Sequence, residues 1–327
     1  SARLAAEHPA LARHMLLGRG AWSRRDHTVF RREQDCVCQS AWEIHCAYGC
    51  LHACDYCHVP PYFNIMLNLE ELAGRVRAFG ETIPSQHLYK FDNYTDTITL
   101  EPEYGASEIM VRAFADWPGR YVLLYTKSDN VDHLLGLDHK AHTLISWSVN
   151  CRTAAKLIEK NTPGLDERVR AIERCQKAGY RVRVRVSPMC PVKGWREEYR
   201  EMAERLLARA RPEVVSVDVL GWMTAGQMKD ALDLSLFDPV YAAEVERLDR
   251  EGRTCTGKHL FPHELRADML RHVLNEIRRV RPGQPVSLCM ETAKMWEELG
   301  PLTGMSPSRY ACCCGPTSVP GHPLLCR

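Results

Sequence analysis

From residue 42 to residue 289 the chain alternates between short β-rich runs and amphipathic helical segments, and this alternation limits its fold more than any other feature. Residues 121–126 (Tyr-Val-Leu-Leu-Tyr-Thr) and 143–149 read as strands, as do 42–48, 87–91, 214–220 and 286–289. Between them, residues 69–79, 107–117, 165–178, 195–210 and 264–280 carry apolar side chains at helical spacing, and 131–137 reads as a short helix. The run 180–187 (Tyr-Arg-Val-Arg-Val-Arg-Val-Ser) alternates with period two. Val182, Val184 and Val186 are expected inward, with Arg181, Arg183 and Arg185 meeting acidic helix partners or a bound phosphate. Repeated strand–helix units demand a parallel sheet, because each crossover returns the chain to the same end. The expectation is an α/β fold. A partial (β/α)6 TIM-like barrel covers 42–292, preceded by an N-terminal arm (1–41) and followed by an irregular, cysteine-rich Fe–S extension (293–327). Chemistry in such barrels sits at the C-terminal ends of the strands.

The 327 residues are 45% hydrophobic and 26% charged, which excludes a disordered, collagen-like or coiled-coil chain. A net charge of +2 argues against binding by non-specific phosphate contacts, and so against duplex DNA as a partner. No stretch approaches the ~18 apolar residues of a membrane span. The first residues lack a basic head followed by an apolar block, so a cytoplasmic protein without a signal peptide is expected. Cysteine is the anomaly, with 15 in the chain. Cys36, Cys38, Cys46, Cys50, Cys54 and Cys57 fall close together, and Cys312, Cys313, Cys314 and Cys326 lie near the end. A chain of this size buries a core without disulfide staples, so metal binding or catalysis is the better account.

Cys50-Leu-His-Ala-Cys54-Asp-Tyr-Cys57 places three thiols on one loop after the first strand. Three thiolates can hold three irons of a [4Fe–4S] cluster and leave the fourth iron open. Zinc is the competing metal, with His52 or His58 as fourth ligand. The spacing resembles the cluster loop of the radical S-adenosylmethionine (SAM) superfamily, and Tyr56 matches the aromatic residue usual before the last cysteine. The resemblance implies that SAM binds the open iron and is cleaved to a 5′-deoxyadenosyl radical, fed by a flavodoxin- or ferredoxin-type electron donor. Residues 125–139 and Ser146-Trp-Ser-Val-Asn150 further resemble the spore photoproduct lyase branch, whose members repair a thymine dimer. By that resemblance Tyr56, Lys127, Ser148 and Asn150 would contact SAM. Two departures stand out. Asn93 replaces the lyase's hydrogen-donating cysteine, and His58 replaces a tyrosine of its hydrogen relay.

The lyase pattern ends near Cys289-Met-Glu-Thr292, yet this chain continues for 35 residues past Thr292. Cys289, Cys312, Cys313 and Cys314 are expected to bind an auxiliary Fe–S cluster, with Cys326 a candidate fourth ligand. In extended chain Cys312 and Cys314 point to one side and Cys313 to the other. Zinc and a loose tail are the alternatives, and Cys36, Cys38 and Cys46 form a rival site. Such an extension resembles auxiliary-cluster members of the superfamily, including sulfur-inserting ones. Cys312, Cys314, Glu291 and His58 are the candidate catalytic residues.

His133 and His139 read as structural, and Trp195, Trp222 and Trp296 as core or rim. Glu101, Glu103 and Tyr104 face the cavity or cap a helix, and Lys258 sits in a Gly-Lys pair like one in the lyase. The expected activity is radical SAM chemistry on a small nucleoside, nucleotide or sugar-nucleotide. The auxiliary cluster then inserts sulfur, or exchanges it for oxygen, in natural-product biosynthesis. The alternatives are a lyase-type DNA-repair enzyme and a zinc-dependent nucleic-acid-binding module.

Overall fold

A computed structural model describes residues 36–39, 41–59, 64–252 and 259–326. Lys258 and most of the N-terminal arm lie outside them. Seven strands form one sheet: β1 (Glu43–Ile44), β2 (Leu88–Phe91), β3 (Tyr121–Thr126), β4 (Thr143–Ser148), β5 (Arg181–Met189), β6 (Val215–Val219) and β7 (Val286–Leu288). They lie side by side in chain order, and every neighbouring pair is parallel. This is the expected mixed α/β architecture with a parallel central sheet, and it has seven strands rather than six. β1 is shorter than expected. After Ile44 the chain turns off, and Ala47–Tyr48 pairs antiparallel with Asn64–Ile65.

The helices are α1 (Leu69–Glu81), α2 (Ala106–Ala115), α3 (Leu165–Lys177), α4 (Trp195–Arg209), α5 (Ala225–Ala231), α6 (Pro239–Arg250), α7 (His263–Val280) and α8 (Ala293–Thr303). In α3, Asp166 and Glu167 in the first turn and Arg174 and Lys177 in the last both complement the helix dipole. Glu101 starts α2 by accepting the Gly105 and Ser107 amides at 2.8 and 2.9 Å, so it is a cap rather than a cavity group. Gly80 lets α1 approach Trp117, because a Cβ there would overlap the indole. Three expectations change. Residues 131–137 form only a 3-10 turn, Asp132–Leu134, and α5 and α6 arise in a stretch the periodicity left unassigned. The irregular tail begins after α8, which runs through Pro301.

The sheet is buried on both faces. Tyr89, Phe91, Val122, Leu124, Ile145, Trp147, Val182, Val184 and Val186 belong to the main core with the helices. On the opposite, inner face, Leu88, Leu123, Tyr125 and Leu144 pack against Cys314 and Val319 of the tail. Arg183 anchors the tail there. Its guanidinium donates to Cys313 O (2.9 Å) and Ser318 O (2.5 Å) and pairs with Glu213 at 3.0 Å. The expectation for β5 is thus reversed: Val182, Val184 and Val186 point outward to the helices, while Arg183 points inward to the tail and, with Arg181, meets Glu213 of the loop before β6 rather than an acidic helix residue. Residues before β1 reach the far edge of the sheet. Val37 N–H donates to Glu291 O at 2.8 Å and Cys36 bridges Thr292, so this segment lies against the chain leaving β7.

Candidate functional site

The loop after β1 carries Cys50, Cys54 and Cys57, with a tight turn closed by Cys57 N–H to Cys54 O at 2.9 Å. His52 fixes it. Its Nδ1 reaches Asn161 O at 2.6 Å and its Nε2 reaches the Asp96 carboxylate at 3.2 Å. Both ring nitrogens being engaged, His52 does not serve as a fourth zinc ligand. Asp96 also accepts Lys127 N–H at 2.7 Å and Thr126 Oγ1 at 2.9 Å. Burial pushes the Asp96 carboxyl up, but His52 and the backbone amides of Lys127 and Ile98 more than offset it and hold it below the ordinary carboxylate value. Burial raises the Cys54 thiol to about 12 and, with Asp96, the Cys50 thiol to about 11. A metal would supply the positive charge that deprotonates them. Three thiols on one loop, beside an uncommitted lysine, are a donor set that fits a [4Fe–4S] cluster with SAM. Cys50, Cys54 and Cys57 would hold the cluster.

Beneath the loop is a buried polar network. Glu159 is 1% exposed. It accepts Tyr56 Oη–H at 2.6 Å and Asn150 Nδ2–H at 3.1 Å, and pairs with Arg168 at 2.6 Å. Burial pushes the Glu159 carboxyl up, but Arg168, Lys127 and these hydrogen bonds hold it at about 2. The Asn150 carbonyl accepts Tyr199 Oη–H at 2.8 Å, and its amide also donates to Pro188 O at 3.0 Å. Asn150 is thus spent within the network. Its side-chain amide orients Glu159. Tyr56 is tied by its hydroxyl and presents its ring. Lys127 Nζ lies 5.9 Å from that ring and makes no ion pair with any described residue. Ser148 ends β4 in register with Arg185.

The inner face holds a second group of residues. Arg185 stacks over Tyr125 at 5.1 Å and donates to Ser187 Oγ at 3.1 Å. It makes no ion pair with any described residue. Burial works against its charge, but Tyr125, Cys289, Asp218 and Cys314 nearby more than offset it. Ser146 Oγ and Tyr125 Oη are buried on the same face without a hydrogen-bond partner. Lys90 is different, being paired with buried Glu43. His45 meets Asp92 at 2.7 Å and Glu43 at 3.5 Å. Burial opposes its protonation, yet those two carboxylates raise it to about 9. Asn93 joins this cluster once its amide is oriented to donate to Glu43 and accept from Lys90.

The tail brings Cys312 and Cys314 to this face. The Cys312 thiol is raised by its hydrogen bond with Cys314, by burial, and by the nearby Cys314, Cys38 and Cys289 thiols. Cys289 follows β7, its N–H donating to Val217 O at 2.9 Å. Two expected residues leave the set. Cys313 turns into the barrel floor, its thiol donating to Val184 O at 3.2 Å and its N–H to Ser216 Oγ at 3.2 Å, so it is a packing residue. Glu291 is fully buried and spent on Arg266, whose Nε lies 3.2 Å away, so it is a structural ion pair rather than a substrate contact. His58 is exposed beside Cys57, and Cys326 is exposed near the chain end. Among the described residues, no three Cys, His, Asp or Glu donors converge on a single-ion position. No helix among them is long and apolar enough to cross a membrane. A cleft lined by Trp42, Phe79, Gln86 and Pro316 lies near the N-terminal end of β2.

Glu159, Arg168 and Asp96 carry much of this geometry, and sequence reasoning missed them as site residues; His52 was read only as an alternative zinc ligand. Arg185 was visible only as part of the period-two stripe of β5, offered there for a bound phosphate.

Comparison with known proteins bears on the family and the fold. The family model "Spore photoproduct lyase" matches residues 34–287. Spore photoproduct lyase of Bacillus subtilis is 28% identical over 180 residues, 53% of this chain and 52% of that protein. The Clostridium acetobutylicum protein is 24% identical over 185 residues, covering 54% and 55%. The match thus spans about half the length of these relatives. A solved variant of spore photoproduct lyase superposes with a TM-score of 0.62 at 20% identity, covering 76% of this chain and 75% of that one. Another, with bound AdoMet and dinucleoside spore photoproduct, gives 0.58 at 19% over the same shares. The chain belongs to the spore photoproduct lyase family, in the radical SAM superfamily.

Proposed function

We propose that this chain is a radical SAM enzyme that inserts sulfur into a small, anionic nucleoside-type substrate. When bound, SAM and the cluster on Cys50, Cys54 and Cys57 would supply a 5′-deoxyadenosyl radical that takes a hydrogen atom from substrate carbon. Lys127 is the natural partner of the SAM carboxylate, being a cation that no described residue neutralises. Ser148, beside it at the strand ends, offers a hydroxyl. Tyr56, fixed through Glu159, offers a flat ring edge to the cofactor. Arg185 supports an anionic substrate, since a partly buried guanidinium with one side-chain hydrogen bond is suited to a phosphate or carboxylate. The unpartnered Ser146 and Tyr125 hydroxyls could complete that contact.

The observation that carries the sulfur reading is the tail. It returns under the inner face and sets Cys312 and Cys314 near Cys289 and Arg185. A second Fe–S cluster there would supply a bridging sulfide to the carbon radical, with one cluster Fe(III) taking up the odd electron to become Fe(II) and the sulfide's Fe–S bonds breaking as the thiolated product leaves. The family match favours a second reading, in which the substrate is a thymine photoproduct and no sulfur moves. The test uses protein reconstituted anaerobically with 34S-sulfide, SAM and a reductant. It is offered nucleosides, their mono- and diphosphates, and dinucleoside spore photoproduct. A nucleotide product carrying 34S is expected. The double variant C312A/C314A should still release 5′-deoxyadenosine but form no labelled product. Conversion of the dinucleoside photoproduct to unmodified thymines, with no label, would select the lyase reading instead.

A further inference from the structure

Two segments far apart in sequence meet beside Cys289. Residues 36–39 run along the chain that leaves β7, with Val37 N–H bonded to Glu291 O at 2.8 Å. The next residue but one faces the tail: Gln39 Nε2 donates to Tyr310 O at 3.2 Å. The Gln39 side chain also lies against Gly315, where a Cβ would overlap it. Cys38 is therefore pinned between a residue tied to the Cys289 segment and a residue tied to the Cys312–Cys314 segment.

We propose that Cys38, Cys289, Cys312 and Cys314 form one iron–sulfur site, in which the arm preceding the barrel supplies the fourth thiolate. The proposal rests on the second-cluster reading above and names its ligands. Cys313 is excluded because its thiol is committed to Val184 O on the barrel floor. Cys326 is exposed and separated from the triplet by the turns at 315–325. Cys36 turns the other way, to Met290 O at 3.1 Å and His259 at 3.3 Å. Of the rival trio in the sequence only Cys38 joins this place; Cys36 turns away and Cys46 is buried in the core. The electrostatic influence of Cys38 and Cys289 on Cys312 agrees with that placement.

The test uses the full chain carrying C50A, C54A and C57A, reconstituted anaerobically, so that only the second site can hold iron. Iron per chain and the EPR spectrum after dithionite reduction are measured. About four irons and a reduced-cluster signal are expected. Adding C38A should remove at least half of the iron and abolish or shift the signal. C38H should restore iron with altered g values, which separates ligation from folding. C313A and C326A should leave both readouts unchanged. If C38A keeps full iron and an unshifted spectrum while C289A loses them, Cys38 is not a ligand and the second cluster stands without it. If the triple variant binds no iron, the second-cluster reading itself fails.

Discussion

Glu159 shows how one buried carboxylate can hold a loop in place. It joins Tyr56 of the cysteine loop to Asn150 beyond β4 and to Arg168 of α3. Its folded pKa of about 2 lies below the ordinary 4.5. Its contribution to stability is therefore complete above pH 4.5 and is lost as pH falls towards 2. E159Q leaves Arg168 buried without its counter-charge and should cost about 3–5 kcal/mol in a urea melt at pH 7. The same variant should lack part of the acid unfolding limb between pH 4.5 and 2. Equal stability of E159Q and parent at pH 7 would remove this role. His45 works in the opposite sense. Its pKa, raised from 6.5 to about 9, stabilises fully below pH 6.5, and that contribution fades as pH climbs through 9. H45Q should flatten the alkaline fall of the melting temperature in that window. At Arg185, loss of one charge-assisted contact should raise KM for a phosphorylated substrate roughly 10- to 100-fold in R185Q. SAM affinity in R185Q should stay near parent, and a weakened SAM affinity would mean that Arg185 serves the cofactor instead.

At the scale of elements, β5 is the instructive strand. Its alternation was legible but its facing was not: the Val side, expected inward, lies outward against the helices. The other face was not legible, because arginine at every second position ordinarily marks a surface. Here Arg183 has no exposed surface, and it is satisfied by two carbonyls 130 and 135 residues away. No local pattern announces partners at that separation. R183M would strand the Cys313 and Ser318 carbonyls, and a loss of about 3–5 kcal/mol is expected. Limited proteolysis should then cut first between residues 304 and 320, and a tail as resistant as in the parent would count against this anchoring. The strands and long helices were readable because each repeats a short-range period. α5 was not, being only seven residues long; α6 did carry local signals, Tyr241, Val245 and Leu248 at helical spacing behind the Asp238 cap and Pro239, that sequence reasoning missed.

Across the whole molecule, the cysteine triad and the parallel sheet were legible because loop spacing and strand–helix alternation are local properties. The closure of the barrel was not. It depends on residues 36–39 and 311–319 meeting beneath and beside the sheet. Leu88, Leu123, Tyr125 and Leu144 are covered there by Cys314 and Val319. A chain stopped after Tyr310 should expose this apolar floor. Faster amide exchange in β2, β3 and β4 and increased binding of a hydrophobic dye are expected, and exchange unchanged from the parent would show that the tail is dispensable to the floor.

The tail's position also sets an order of events during synthesis. Every strand of the sheet has left the ribosome before residues 311–319 appear, so the barrel must wait with its lower end open. Arg183 and the leucines around it are then a docking surface awaiting a segment of their own chain, and long-range closures of this kind are slow relative to helix formation. Slowing translation of the codons after residue 289 should lengthen the life of that open form, and a chaperone that shields apolar strands would find its target there.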